Sequence, residues 1–369
     1  MTMSPARRIL TATFMAASAY ALATPAVAQA TSEASFETFT PRADRIDHRI
    51  DYSIWTEALS NFVVSMGPPL RKKPTGSQSV LGTRQRVGHN SIYRLDGSMV
   101  GFSFMTNEVI ESFSEYRRDL EAVADGLDIA ALPRDEQLAY WFNLHNVAMV
   151  EQIALKWPVR QPREIMIEGV PLDEARFITV NGIAMSPKDI RTKIVFKHWK
   201  DPRVIYGFWR GEIGGPAMQR EAFEASTISF LLDRAAREFA NSRRGVENRG
   251  STLHVSTLYE EAAPYYFPNF EEDVRNHIDR FANEEMRARY EGTSTVKASI
   301  REHDIADLVG GRRTNPVYTN GRFDAAAIAL LRERQDKLDY LLREGIRTGT
   351  VTFSEFVAPG EEEKEDGVE

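Results

Sequence analysis

The chain has 369 residues, not one cysteine, and a formal net charge of −7 at neutral pH. The missing sulfhydryl excludes disulfides, thiolate metal sites and thiol nucleophiles; the acid excess argues against wholesale nucleic-acid binding. At this length a hydrophobic core can stabilise the fold unaided, as a main domain with additions.

The N-terminus carries a targeting pattern. Arg7 and Arg8 precede a short apolar, small-residue run, and Ala28-Gln29-Ala30 supplies an Ala-x-Ala exit. A basic start, a brief apolar core and that exit predict a secretory signal over residues 1–30, cleaved near Ala30, after it or after Ala28. The expected address is the periplasm, with no transmembrane span left after cleavage, since no later segment reaches the roughly 20 apolar residues a helix needs to cross a bilayer. Losing Arg7 and Arg8 takes the formal charge to −9, of which the tail Glu361–Glu369 carries −5. Residues 358–369 therefore read as a disordered acidic tail on a mildly acidic body.

Residues 31–105 read as an N-terminal helical and irregular extension. Tyr52, Ile54, Trp55, Leu59, Phe62, Val63 and Met66 recur near helical spacing, predicting a helix over 51–66 that Gly67-Pro68-Pro69 stops. Arg71, Lys72, Lys73, Arg84 and Arg86 follow with no acid among them. That loop, 71–86, reads as a mobile cationic segment, or as a patch for an anionic envelope polymer. Ser98–Phe104 reads as a short strand.

The family-like core is placed at 106–290. It opens with a helix from Asn107 to Ala124 and a second, capped by Asp135, that runs to Trp157 before Pro158 ends it. Phe177–Met185 predicts a hairpin, because Asn181-Gly182 supplies both positive-φ positions of a type I′ turn. Ser186-Pro187-Lys188-Asp189 opens another helix, with hydroxyl cap, first-turn proline and an acid three residues on. Val204–Trp209 reads as a buried strand, Ser226–Phe239 as an amphipathic helix, Thr252–Leu258 as a strand and Glu271–Phe281 as a helix. Residues 291–357 form a C-terminal extension: a Gly- and Arg-containing linker, then a helix from Asp324 to Glu344 stopped by Gly345. On its wet side Arg332–Asp336 and Glu333–Lys337 stand four apart. The fold class is α+β: mixed helices packed on a small antiparallel sheet, with helical additions at both ends.

The candidate binding residues fall in three groups. Tyr140, Asn143 and Asn146 share one helix face among large aromatics. Their amides either clamp a substrate or tie down backbone, the commoner fate of buried amides. Arg203 either braces Asp189 or Asp201, or receives an anionic ligand. In Arg210-Gly211-Glu212-Ile213-Gly214-Gly215-Pro216, the glycines Gly214 and Gly215 permit close ligand approach and equally a tight turn; Arg210 opens that loop. The weak catalytic candidates are Glu212, His198 and Asp201, with Glu212 and His198 imaginable as an acid–base pair. The seven histidines show no paired metal spacing, and the chain has no P-loop, dinucleotide fingerprint or Gly-x-Ser-x-Gly. No metal and no cofactor is expected.

Leu138-Ala139-Tyr140-Trp141-Phe142-Asn143-Leu144-His145-Asn146, the Val180–Ser186 hairpin leading into a helix, Asp201-Pro202-Arg203-Val204 and, loosely, Glu260–Phe270 resemble, in order, segments of the bacterial and plant family called domain of unknown function 547. The resemblance spans residues 117–283 and implies architecture more than chemistry. Members often carry Ser-Cys-Pro where this chain has Gly214-Gly215-Pro216, and Ile-Glu-His where it has Ile190-Arg191-Thr192. A cysteine and a histidine brought together form an activated thiol; both are absent here. The resulting expectation is an exported binding or scaffold module with a degenerate thiol site, the Gly214–Pro216 loop and the Asn143/Asn146 face lining a residual groove. Its partner would be an envelope protein or anionic envelope polymer. The rival is an envelope-acting hydrolase or transferase using a carboxylate–histidine pair.

Overall fold

A computed structural model describes residues 35–42, 46–71, 88–313, 319–320 and 323–345. The predicted signal, the acidic tail and nearly all of the cationic loop lie outside the described residues. Arg71, its first cation, is tied inward: its guanidinium donates to the carbonyls of Asn241, Ser242 and Val246.

The molecule is built around one helix, Arg134–Lys156, in which every residue from Glu136 to Glu151 is buried. Apolar side chains on all sides make a core helix rather than a surface one. Asp135 and Glu136 stand in its first turn and Lys156 in its last, complementing the helix dipole. The helix begins at Arg134, with Pro133 at the cap; Asp135 is inside the first turn and does not cap it. Asn107–Gly126 packs against it, while Ile228–Asn241 packs on the Pro202–Gly207 turn and on helix Phe270–Phe281. Phe142 meets Phe208 and Phe223 at 4.8 and 4.7 Å between ring centroids.

The hairpin forms as its sequence demands. Ile178–Val180 pairs with Ile183–Met185, and Asn181 and Gly182 take φ of 50° and 71°. Ser186 then closes a full capping box with Asp189. The helix it starts widens into a π segment, Ile190–Val195, which places Arg191 in the interior. π segments often mark functional sites.

Four local readings are corrected. The first helix spans only Ser53–Phe62; β-branched Val63 and Val64 then run extended, pairing with Ser98–Val100. That second strand likewise stops at Val100 and gives way to a 3-10 turn, Phe102–Phe104. Val204–Trp209 is buried as expected, but Pro202–Gly207 is a 3-10 turn. Pro202 sits in its first turn, and the Asp201 carboxylate accepts from the Arg203 amide, a local bond that competes with a ladder. Finally, residues after 290 are not a plain linker. Thr295–Ile300 is the third strand of a mixed sheet, parallel to Thr252–Ser256, which is antiparallel to Val246–Arg249. The chain beyond it is stitched to the body: Ile305 N donates to Arg160 O, Ala306 N to Gly211 O, and Leu308 N to Val100 O.

The C-terminal helix Ala325–Arg343 is capped by Asp324. Lys337 is not on its wet side. The ammonium is buried and donates to the carbonyls of Met66 and Leu95 at 3.1 and 2.6 Å, while Glu333 pairs with Arg94 at 2.7 Å. The architecture is α+β, helices with small sheets, as the sequence predicts. Among the described residues no helix is long and apolar enough to cross a membrane.

Candidate functional site

Asn143 and Asn146 both spend their amides on backbone. Asn143 donates to Phe223 O at 2.7 Å and accepts from Phe223 N at 3.0 Å, reproducing the two-point contact of a β-pair. Asn146 donates to Gly207 O at 3.0 Å and accepts from Trp209 N at 2.9 Å. The central helix thereby holds two irregular segments in register, at positions where an unpaired amide would be costly. Tyr140 is sealed too, its hydroxyl donating to Leu120 O at 3.0 Å. All three are buried, so among the described residues their side chains line no open groove.

Beneath that face lies a charged network that sequence reasoning missed. Arg191 is fully buried, donating to both oxygens of Asp173 at 2.7 and 2.6 Å and to Glu261 at 3.1 Å. Arg210 closes a two-point pair with the same Glu261 at 2.7 and 2.9 Å. Two guanidiniums and two carboxylates cancel, which is what makes the burial tolerable. Arg191 also stands 3.1 Å from His145 Nε2. A guanidinium has no acceptor, so Nε2 accepts and the imidazole proton sits on Nδ1, donating to Asn146 Oδ1 at 3.0 Å.

The protonation states follow from this geometry. Burial and the adjacent Arg191 lower the His145 pKa to about 3, so it is neutral at neutral pH. Burial works against the Glu261 charge, yet Arg210 and Arg191 outweigh it and bring that carboxyl down to about 2. Asp173 is driven the same way: burial opposes its charge and Arg191 wins, well below the usual carboxylate range. Each group is held in the state its neighbours need, and none is poised near neutral pH for proton transfer.

The loop at Gly214–Pro216 is fixed from two sides. Gly214 N donates to Glu302 O at 3.1 Å, and Ile213 N to Asp304 O at 2.9 Å. Gly215 O accepts from Nε of the buried Arg244 at 3.2 Å. A Cβ on Gly214 would lie 2.4 Å from Glu302 O, so a close backbone approach explains that glycine. A Cβ on Gly215 would meet nothing nearer than 3.5 Å. Between the two readings the loop left open, the tight backbone contact applies to Gly214 only.

The structure does not bring Glu212 to His198. Glu212 accepts instead from His303 Nδ1 at 3.0 Å, with both side chains partly exposed beside the loop. His198 forms no ion pair among the described residues; its backbone carbonyl accepts from Arg134 at 2.6 Å. Arg203 braces Asp201 at 2.7 Å, whereas Asp189 pairs with Arg176 at 3.0 Å. Asp201 and Arg203 border an open cleft. Among the described residues no group of three or more His, Asp or Glu is placed to hold a metal ion.

Residues 129–240 match the model of the family described as "Protein of unknown function, DUF547". The chain carries a DUF547 domain. No curated protein and no solved structure matches it. The DUF547 match is narrower than the span read from the motifs, and it takes in the central helix, the hairpin, Arg191 and the Gly214–Pro216 loop. Glu261 and His303 lie outside it, so partners of DUF547 residues come from beyond the matched segment. His145 and Arg191 were the only signals available in sequence: one as a histidine where the family has tyrosine, the other as a departure in the post-hairpin helix.

Proposed function

We propose that this chain is an exported periplasmic protein whose DUF547 domain binds envelope material without transforming it. The observation that carries the reading is Arg191, at the place where relatives are expected to carry a glutamate beside a histidine. Here it is fully buried and committed to Asp173, Glu261 and a neutral His145. Gly215 takes the place of the expected cysteine, and no sulfhydryl exists elsewhere to replace it. Export rests on the signal-like residues 1–30. Cell fractionation of the full-length chain tests the address: recovery in the periplasmic fraction, shortened by the signal, supports it, and retention of the intact chain in the cytoplasm refutes it.

One observation favours a second reading. Glu212 and His303 meet at 3.0 Å beside the glycine loop, which is the carboxylate–imidazole contact an acid–base enzyme needs. Incubating the purified mature chain with solubilised envelope material, and following product masses over time, separates the two. The binding reading expects no new masses. Products that disappear in Glu212→Gln and His303→Asn assign the domain to a hydrolase or transferase instead.

A further inference from the structure

A cleft of about 550 Å³ lies between helix Phe270–Phe281, helix Ile228–Asn241 and the Asp-Pro-Arg turn. Its volume is in the range of small-ligand sites. Four cations border it: Lys200, Arg203, Arg237 and Arg280. Two carboxylates answer them, and both are already engaged: Asp201 with Arg203 at 2.7 Å and Asp233 with Arg237 at 2.7 Å. Lys200 donates only to the backbone carbonyl of Lys197, and Arg280 has no ion-pair or hydrogen-bond partner among the described residues. Two positive charges are therefore left uncompensated on one concave surface.

The floor is built differently from the rim. Phe281 supplies an apolar wall. His277 is buried, and its Nε2 is fixed at 2.8 Å by Tyr206, whose hydroxyl meets that of Tyr259 at 2.9 Å. Burial, reinforced by Arg280, lowers the His277 pKa to about 4, so the ring adds no charge of its own at neutral pH. Its other ring nitrogen is buried with no partner among the described residues. A rigid, neutral aromatic floor under a rim with two spare cations suits a dianionic group attached to a less polar body.

We infer that this cleft binds a phosphate-bearing molecule, with Lys200 and Arg280 taking the phosphate and the Phe281 wall its attached group. A phosphate monoester carries about −1.5 to −2 charges at neutral pH, which matches the two unanswered cations. This deepens the binding reading above and rests on it for its setting; the chemistry of the cleft is tested apart from export and turnover.

The test is calorimetric titration of the purified chain with pyrophosphate, beside co-sedimentation with phosphatidylcholine vesicles containing phosphatidic acid. Both are repeated on Lys200→Gln/Arg280→Gln. Neither residue makes an ion pair, so the variant's melting temperature stays at the wild-type value. Its binding weakens by about ten-fold or more, as expected for losing two charge-assisted contacts. A control removing equal charge elsewhere, Lys156→Gln/Arg343→Gln, changes binding by no more than about two-fold. Binding to vesicles but not to pyrophosphate assigns the phosphate to a lipid headgroup; binding to pyrophosphate assigns it to a free ligand. Absence of binding to both, or equal loss in the control and the cleft variant, overturns the inference.

Discussion

Replacing Arg191 by methionine removes the one charge shared by Asp173, Glu261 and His145. Truncating one partner of a buried ion pair costs about 3–5 kcal/mol, because the remaining charges are left without their counter-ion. Two features place this case at the lower end. The Asp173 side chain keeps 41% of its exposure, and Glu261 keeps its two-point pair with Arg210. The expected loss is about 3 kcal/mol near neutral pH, read by urea denaturation followed through tryptophan fluorescence. Its pH dependence has a definite sign. Glu261 falls from the ordinary 4.5 to about 2 in the folded protein, so its stabilisation is complete above pH 4.5 and is lost as pH falls toward 2. Asp173 acts in the same sense below its ordinary 3.8. Wild type and Arg191→Met therefore converge in acid. A loss under about 0.5 kcal/mol near neutral pH, the size of an ordinary surface change, would refute the reasoning. So would a gap that stays constant down to about pH 3.

Four further outcomes are expected. Asn143→Ala strands the buried amide and carbonyl of Phe223 and destabilises by about 2–4 kcal/mol, visible in thermal melting. Gly214→Ala drives a methyl into Glu302 O and costs about 1–3 kcal/mol. Gly215→Cys, which has room, melts within a few degrees of wild type; a large melting loss would contradict the space seen there. Lys337→Ala removes the two bonds that dock the C-terminal helix to Met66 and Leu95, so limited proteolysis releases that helix faster than from wild type. Equal cleavage rates would show that apolar packing alone holds it.

Local chemistry was the most legible part of the sequence. The Asn181-Gly182 turn and the Ser186 capping box are short-range devices, complete within four residues, and both form as read. The helix 51–66 failed at its end because β-branched residues there found a partner strand some 35 positions on, which no local pattern shows. Lys337 was misplaced for a related reason: helical spacing puts it four from Glu333 but does not reveal that Met66 and Leu95 offer carbonyls from above. At the candidate site, the preference for backbone bonding by Asn143 and Asn146 follows from the chemistry of buried amides, and both amides do bond backbone. The partners of Arg191 stood 18 and 70 residues away, and Glu212 met a histidine 91 positions on rather than His198. Sequence distance carries no information about such meetings, so the motif residues were legible and their pairings were not.

The account turns on a closed charge network around Arg191, at the position where relatives are expected to carry a glutamate beside a histidine. Nitrogen-resolved NMR of the histidine side chains, recorded through a pH titration with and without solubilised envelope material, measures this directly. The expected result is a His145 ring that stays neutral with its proton on Nδ1 down to about pH 4, consistent with its lowered pKa of about 3, and is unmoved by added material. A His145 that titrates near its ordinary 6.5, and shifts when that material binds, would place an accessible acid–base group in the network and contradict the non-catalytic reading.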